Sequence, residues 1–197
     1  MPVSQLQVSI VVLNWNGWRD TVECLDSLRR LSQPDVQIII VDNGSTDESC
    51  NRILEWAEAN RKGESLCTGH NSDEVKQQED GSTVLFATTG LVVIEAGTNG
   101  GYAVGNNVGI RRALGNGDCE FLWILNNDCV VEPDSLSCML KAMSDDAQAI
   151  ICGATIRSYR EPDRILMTGG ARMSYVTFHS APVVLDTGGG SIGGTLG

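Results

Sequence analysis

The chain has 197 residues, of which 42% are apolar, and its 25 acidic and 14 basic side chains give a net charge of −11. This length suffices for one substantial domain, and the acidic balance disfavours nucleic acid as a main partner, because phosphate backbones are bound through lysine and arginine. The acidic charge balance is still compatible with a nucleotide that is held in one cleft together with a cation. No apolar run approaches the roughly 20 residues that cross a bilayer, and the N-terminus lacks the pattern of a signal peptide, so we expect a cytoplasmic location.

The seven cysteines are scattered, odd in number and without a Cys-x-x-Cys pair. This usage favours free thiols over a disulfide framework or a zinc site. Because His70 and His179 are the only histidines, we do not expect a histidine-based metal or acyl-transfer site.

Apolar, β-branched runs alternate with helical patterns along the chain. The run at 8–13 predicts a strand, and the apolar spacing after it predicts a helix that starts near Thr21, where Asp20 and Glu23 resemble a capping pair. The run at 36–41 predicts a second strand, followed by a turn and a helix for which Ser45 and Glu48 form a plausible capping box. Such continuous apolar strands are typical of a parallel sheet that is covered on both faces.

The segment 61–83 is polar and glycine-punctuated, which predicts a surface insertion. Further patterns predict strands at 84–86, 91–94 and 121–125, a helix at 104–114, and a helix with Pro133 in its first turn that runs through Leu140. We therefore predict an α/β fold with an open, mostly parallel, doubly wound sheet. The ligand site of such a sheet lies at the carboxyl ends of its strands.

Three polar clusters follow the predicted strands, at residues 14–16, 42–43 and 126–128. Asp42 could accept hydrogen bonds from a ribose or a base, or it could stabilise a turn. Asp128 could give an oxygen ligand to Mg²⁺ or Mn²⁺ that also bridges substrate phosphates, or it could belong to a turn rich in Asn and Asp. The glycine-rich turn at 97–105 spells neither a dinucleotide-binding fingerprint nor a P-loop.

Four motifs taken together resemble the family 2 glycosyltransferases of the GT-A fold. They are, in order, VSIVVLNWNG at 8–17, VDNGSTD at 41–47, NGGYAVGNNVG at 99–109 and LNND at 125–128. Within that family the chain looks most like the rhamnosyltransferase-like branch, and the resemblance runs from residue 8 to about 170. It implies a nucleotide-sugar-binding domain at 1–170, followed at 171–197 by the start of an acceptor region and a glycine-rich tail.

The resemblance implies a role for each matching residue. The donor-binding set would be Asn14, Asn16, Asp42, Asn99, Gly105, Asn106 and Asn127. In that set Asn14 and Asp42 would line the base and ribose, and the loop from Asn99 through Asn106 would close over the donor. Asp128 would hold the divalent cation, Mg or Mn, on the diphosphate. The implied reaction is the inverting transfer of a sugar, with rhamnose suggested by the branch, from a nucleotide-diphosphate donor to a saccharide or lipid-linked saccharide acceptor.

Two departures from the family pattern qualify this interpretation. Asn127 stands where many members have an acid, so the cation would depend on Asp128 and the phosphates. The carboxylate that serves the family as general base has no match in the chain, which suggests that this chain is the donor-binding part and ends before the acceptor region. The alternatives are a non-catalytic nucleotide-sugar-binding module and a nucleotidyltransferase. Lipid-linked acceptors would bring peripheral contact with the inner membrane face, although no basic amphipathic segment is present.

Overall fold

The computed structural model describes residues 8–33, 35–60, 76–78, 80–88, 90–115, 117, 119–168, 171–173 and 180–182. Contacts between Cα atoms group the chain into two units, Met1–Pro133 and Asp134–Gly197, and each unit is described by itself. The division predicted from the sequence, after residue 170, concerns function and stays a prediction.

The first unit is an α/β sheet. Its elements in chain order are β1 (Val8–Asn14), α1 (Trp18–Leu28), β2 (Val36–Asp42), α2 (Ser49–Asn60), β3 (Lys76–Gln77), β4 (Thr83–Ala87), β5 (Leu91–Glu95), α3 (Tyr102–Gly115) and β6 (Phe121–Asn126). The strands lie in the order β3-β4-β5-β2-β1-β6. The pairs β5–β2, β2–β1 and β1–β6 are parallel, whereas β3 and β4 are antiparallel additions at one edge. The mostly parallel sheet predicted from the sequence is confirmed.

Both faces of the central strands are buried. Because side chains alternate along a strand, Val11 and Leu13 of β1 face one side, where they join the cluster that contains Val108 of α3. Ile10 and Val12 face the other side and are completely buried, on the side where α1 and α2 contact the sheet. This double cover explains why β1 and β2 are nearly continuous apolar runs before their polar ends.

The register aligns the carboxyl ends of the parallel strands. Asn14 at the end of β1 pairs with Asp42 at the end of β2, and Leu13 pairs with Asn126 at the end of β6. Since β2 and β6 flank β1 on opposite sides, the chain reverses its direction of winding at β1. Such a switch point leaves a crevice beyond the strand ends.

Two predicted helix starts are wrong. Helix α1 begins at Trp18 with Gly17 as N-cap, because Gly17 O already accepts the backbone N–H of Thr21. Helix α2 begins at Ser49, where Asp47 Oδ1 accepts the backbone N–H of that residue. The predicted capping box is therefore absent.

The predicted insertion at 61–83 lies partly outside the described residues, namely at 61–75 and 79. Of its described part, Lys76–Gln77 forms the edge strand β3, which pairs with β4. Within the described residues, no helix is both long and apolar enough to span a membrane.

The second unit contains α4 (Ser135–Asp145) and two antiparallel pairs, β7 (Thr155–Arg157) with β8 (Ile165–Thr168) and β9 (Ala171–Met173) with β10 (Ser180–Pro182). The helix predicted near residues 136–140 is confirmed, with Asp134 as its N-cap. Pro133 therefore precedes the cap and does not lie in the first turn.

Candidate functional site

A cleft with a volume of about 430 Å³ opens at the carboxyl edge of the sheet. It is lined by the ends of β1 and β6, by the residue after β2 and by the turn that leads into α3. The lining residues are Leu13, Trp15, Asn43, Asn99, Gly101, Tyr102, Asn126, Asn127 and Asp128. All three polar clusters predicted from the sequence thus meet at one edge.

The charge of the cleft is concentrated in one side chain. Asp128 is exposed, and among the described lining residues it is the one with a charge. The described residues contain no group of three or more His, Cys, Asp or Glu that could hold a metal ion. A cation at Asp128 would therefore take its other ligands from amide oxygens, from water and from the phosphates of a bound molecule, which is the usual arrangement for Mg²⁺. The oxygen donors present fit a hard cation of this kind.

Two cysteines behind Asp128 stay neutral. Burial is the main cause that raises the pKa of Cys24 to about 12, and the negative charges available to Cys129 and Asp128 act in the same direction. Burial also raises the pKa of Cys129, with the Asp128 carboxylate as the second cause. Because only the thiolate is a good nucleophile, these thiols do not act as nucleophiles in the cleft.

Asn14 and Asp42 lie behind the cleft and do not line it. Both are buried, at 0% and 1% exposure, and their side chains hydrogen-bond each other through Asn14 Nδ2 and Asp42 Oδ2 at 2.7 Å. Asp42 also accepts the backbone N–H and the hydroxyl of Ser45, at 2.9 and 2.7 Å. Their polar atoms thus take part in hydrogen bonds inside the protein, and the base and ribose contacts implied for Asn14 and Asp42 stay a prediction.

Asn16 connects two loops. Its backbone is left-handed, with φ of 52°, a conformation that asparagine tolerates better than most residues. Its backbone N–H donates to Ser45 Oγ at 2.9 Å, and its Oδ1 accepts the Thr46 N–H at 2.8 Å. The loop after β1 is thereby tied to the loop after β2, and Asn16 does not line the cleft.

Asn43 holds the turn before α3. Its Nδ2 donates to Asn99 Oδ1 at 3.0 Å and to Gly101 O at 3.3 Å. Gly44 makes this contact possible, because its φ is +70° and a Cβ there would lie 2.7 Å from Asn99 N. Gly105 has a similar steric role, since a Cβ would lie 2.6 Å from Leu13 Cδ1.

Asn106 is 4% exposed and supports the same turn from within α3. Its Nδ2 donates to Tyr102 O at 2.9 Å. Its Oδ1 is buried and has no hydrogen-bond partner among the described residues. Asn106 and Gly105 thus shape the wall of the cleft from behind, and neither lines it.

Of the eight residues predicted for the site, Asn99, Asn127 and Asp128 line the cleft. Four other polar or aromatic residues line the cleft although they are not among those eight, namely Trp15, Asn43, Tyr102 and Asn126. Trp15 and Tyr102 are 56% and 60% exposed, and the Tyr102 hydroxyl donates to Asn126 Oδ1 at 2.9 Å. Trp15 directly follows the end of β1, and an aromatic residue at the carboxyl end of a predicted parallel strand was the signal that could have identified it.

Residues 9–72 and 73–187 match the model of glycosyl transferase family 2. The chain belongs to this family. It is 28% identical over 145 residues to EpsH of Bacillus subtilis (strain 168), a protein whose name calls it a glycosyltransferase, and 24% identical over 156 residues to the glycosyltransferase GlyG of Streptococcus pneumoniae serotype 4. These matches cover 74% and 79% of the chain but 33% and 41% of the two relatives, so the chain spans less than half of their length.

Two solved structures share the fold. The mannosyltransferase PcManGT from Pyrobaculum calidifontis, in complex with GDP-Man and Mn²⁺, superposes with a TM-score of 0.57 at 19% identity, over 78% of this chain and 36% of its own. Residues 1–349 of S. aureus TarS in complex with UDP-GlcNAc give a TM-score of 0.50 at 20% identity, over 71% and 32%. The GT-A fold predicted from the sequence is confirmed.

Proposed function

We propose that the first unit is the donor-binding part of a glycosyltransferase that moves a sugar from a nucleoside diphosphate to a saccharide acceptor. The observation that carries the proposal is the cleft at the switch point of the sheet, which holds one carboxylate, Asp128, and no lysine or arginine among its described lining residues. Ligands of doubly wound sheets bind at this place. Membership of the family supports the reaction class.

The charge of the cleft favours a donor that is bound together with a cation. A diphosphate placed beside Asp128 meets repulsion of about 4 kcal/mol per pair of unit charges at 4 Å, for an effective dielectric constant near 20. Asp128 would hold Mg²⁺ or Mn²⁺, and the amide oxygens of Asn126 and Asn127 are close enough along the chain to assist. When bound, the cation would neutralise the negative charge that develops on the departing diphosphate.

The remaining lining residues suit the uncharged parts of a nucleotide sugar. Trp15 and Tyr102 offer exposed aromatic surface for stacking against a base or a sugar face. Asn43 and Asn99 offer amide groups for hydroxyl or base edges. The N-terminus of α3, which begins at Tyr102, adds a partial positive charge that favours phosphate.

We assign the buried predicted residues to support of the site. Asn14 and Asp42 hold the two loops that carry Trp15 and Asn43, as their hydrogen bonds with each other and with Ser45 indicate. Asn16 ties the same loops together. In this scheme they affect donor binding through these loops, in addition to the base and ribose contacts that the resemblance implies for Asn14 and Asp42.

In the proposed reaction an acceptor hydroxyl attacks the anomeric carbon of the donor. The new C–O bond forms as the bond to the diphosphate breaks, with inversion at that carbon. We assign Asp128 to the cation, so removal of the acceptor proton belongs to a different group. The resemblance to the rhamnosyltransferase-like branch supports rhamnose as the sugar and a lipid-linked saccharide as the acceptor, with a cytoplasmic protein acting at the inner membrane face.

The test is calorimetric titration of the whole chain with UDP, GDP and dTDP, each with and without Mn²⁺. We expect one diphosphate to bind in a Mn²⁺-dependent way, and Asp128→Asn to weaken that binding at least about tenfold, which corresponds to about 1.4 kcal/mol. The exposed Asp20 of α1 gives a matched control, since Asp20→Asn removes the same charge elsewhere on this unit. Equal affinity of the wild type and Asp128→Asn would refute the cation role.

Turnover separates the alternatives. Sugar transfer by the chain shows catalysis, whereas diphosphate binding without transfer favours the non-catalytic module. Release of pyrophosphate from a nucleoside triphosphate and a sugar phosphate would instead show a nucleotidyltransferase.

A further inference from the structure

A line of four hydrogen-bonded side chains runs beneath the cleft from the end of β6 to the end of β2. Asn127 Nδ2 donates to Thr21 Oγ1 at 3.0 Å. Thr21 Oγ1 donates to Asn14 Oδ1 at 2.8 Å. Asn14 Nδ2 donates to the Asp42 carboxylate at 2.7 Å. The line therefore connects the predicted cation end of the cleft with the loop after β2.

The hydrogen bonds that Asp42 accepts at one end of this line determine the orientation of every group in it. Both carboxyl oxygens of Asp42 act as acceptors, for the Ser45 N–H and hydroxyl and for Asn14, so Asn14 turns its Nδ2 toward Asp42 and its Oδ1 toward Thr21. A hydroxyl has one proton to donate, and when Thr21 donates it to Asn14 the Thr21 oxygen can only accept from Asn127. Hydrogen bonds aligned in this way also strengthen one another.

Burial keeps water from taking over these bonds. Asn14 and Thr21 are completely buried, and Asp42 is 1% exposed. Thr21 Oγ1 has one other acceptor within reach, Gly17 O at 3.0 Å, which is longer than its bond to Asn14. Gly17 also restricts Asn127, because a Cβ at position 17 would lie 3.0 Å from Asn127 Nδ2.

The consequence appears at the surface of the cleft. Because Nδ2 of Asn127 donates to Thr21 Oγ1 at 3.0 Å and to Gly17 O at 3.5 Å, the polar atom that Asn127 has left for the cleft is Oδ1. No described residue donates a hydrogen bond to that oxygen, and Asn127 lines the cleft directly beside Asp128. An amide oxygen suits a hard cation or a sugar hydroxyl, whereas an amide N–H in the same place would repel a cation.

We propose that Thr21 is a positioning residue of the donor site, which acts by making Asn127 present its oxygen at the cation end of the cleft. This inference rests on the proposed function for the identity of the ligand. The orientation of the Asn127 amide does not depend on any ligand and can be measured separately.

The central variant is Thr21→Val, which keeps the shape of the side chain and removes its hydroxyl. We expect it to weaken Mn²⁺-dependent binding of the diphosphate selected from UDP, GDP and dTDP by about tenfold, the lower end of the range for groups that orient metal ligands. Thr21→Ser keeps the hydroxyl and should bind within about twofold of the wild type. Thr88→Val is the matched control, because Thr88 is also buried and its hydroxyl bonds the backbone of Leu91, outside the cleft.

A double-mutant cycle with Asn127→Ala separates positioning from general damage to the fold. If Thr21 acts through Asn127, then Thr21→Val should weaken binding by less than about twofold in the Asn127→Ala background. Gly17→Ala is a second route to the same effect, since its Cβ displaces the Asn127 amide while Thr21 stays intact. It should also weaken Mn²⁺-dependent binding, and it keeps the test valid if Thr21→Val does not fold.

The readout that needs no ligand is the side-chain amide signal of Asn127 in a nuclear magnetic resonance spectrum of the whole chain. We expect the Asn127 side-chain amide protons to exchange slowly with water in the wild type and in Thr21→Ser, and faster in Thr21→Val. Wild-type affinity of folded Thr21→Val, an equal loss in both backgrounds, or unchanged amide exchange would each overturn the inference. Slow, hydroxyl-dependent exchange in a chain that binds no diphosphate would instead refute the proposed function and leave the orientation by Thr21 intact.

Discussion

Replacement of Asn14 by alanine is expected to destabilise the first unit far more than replacement of an exposed asparagine. Asn14 is completely buried and makes three side-chain hydrogen bonds, to Asp42 at 2.7 Å, to Ser45 at 3.1 Å and from Thr21 at 2.8 Å. A hydrogen bond to a charged group contributes about 1.5–3 kcal/mol and a neutral one about 0.5–1.5 kcal/mol.

Part of this loss is recovered by the groups that remain. Asp42 keeps both of its Ser45 donors, and the Thr21 hydroxyl can turn to Gly17 O at 3.0 Å. We therefore expect a net loss of about 2–4 kcal/mol in the free energy of unfolding, dominated by the bond to the buried carboxylate.

Urea unfolding followed by far-ultraviolet circular dichroism measures this difference. The matched control is Asn107→Ala, because Asn107 is exposed on α3 and its removal should change the free energy of unfolding by less than about 0.5 kcal/mol. A loss below about 1 kcal/mol for Asn14→Ala, or a loss equal to that of the control, would refute the view that Asn14 holds the buried carboxylate in place.

Three further predictions concern packing, pH and the cleft surface. Gly105→Ala should lower the free energy of unfolding by about 1–3 kcal/mol, because its Cβ would lie 2.6 Å from Leu13 Cδ1. Gly115→Ala, whose Cβ would meet nothing within 4 Å, should leave it unchanged or raise it by up to about 1 kcal/mol, and similar urea midpoints for both would contradict this. The Cys24 thiol holds its proton to a pKa of about 12 in the folded chain, against an ordinary value of 9.0, so its contribution to stability is complete below pH 9 and is lost as the pH rises toward 12. Between pH 8 and pH 10 the urea midpoint should accordingly fall more for the wild type than for Cys24→Ala, and equal falls for the two proteins would argue against this role of the Cys24 thiol. Trp15→Ala should weaken Mn²⁺-dependent diphosphate binding by about two- to tenfold through lost stacking, with an unchanged unfolding midpoint because Trp15 is 56% exposed; calorimetry that finds equal affinity would exclude Trp15 from the donor site.

The elements of the first unit were largely predictable from the sequence. The runs at 8–13 and 36–41 are apolar apart from Ser9 and Gln37 because both faces of β1 and β2 are covered, and this covering is itself a property of the parallel sheet. The helix starts were less predictable, since capping depends on competition for each side chain. Ser45 matches a capping box in sequence, but its hydroxyl is engaged by Asp42 and Asn16, and α2 begins four residues later.

That polar residues follow the strands, and that those strand ends share one edge, can be read from the sequence. Which of these residues reach the cleft depends on the folded chain, because side chains alternate across a strand. Leu13 and Trp15 contribute to the cleft, whereas Asn14 between them points to the opposite side and meets Thr21 of α1. The hydrogen bond between Thr21 and Asn14 joins residues seven positions apart. The next hydrogen bond, from Asn127 to Thr21, joins residues 106 positions apart, so no local sequence pattern could reveal this line of side chains.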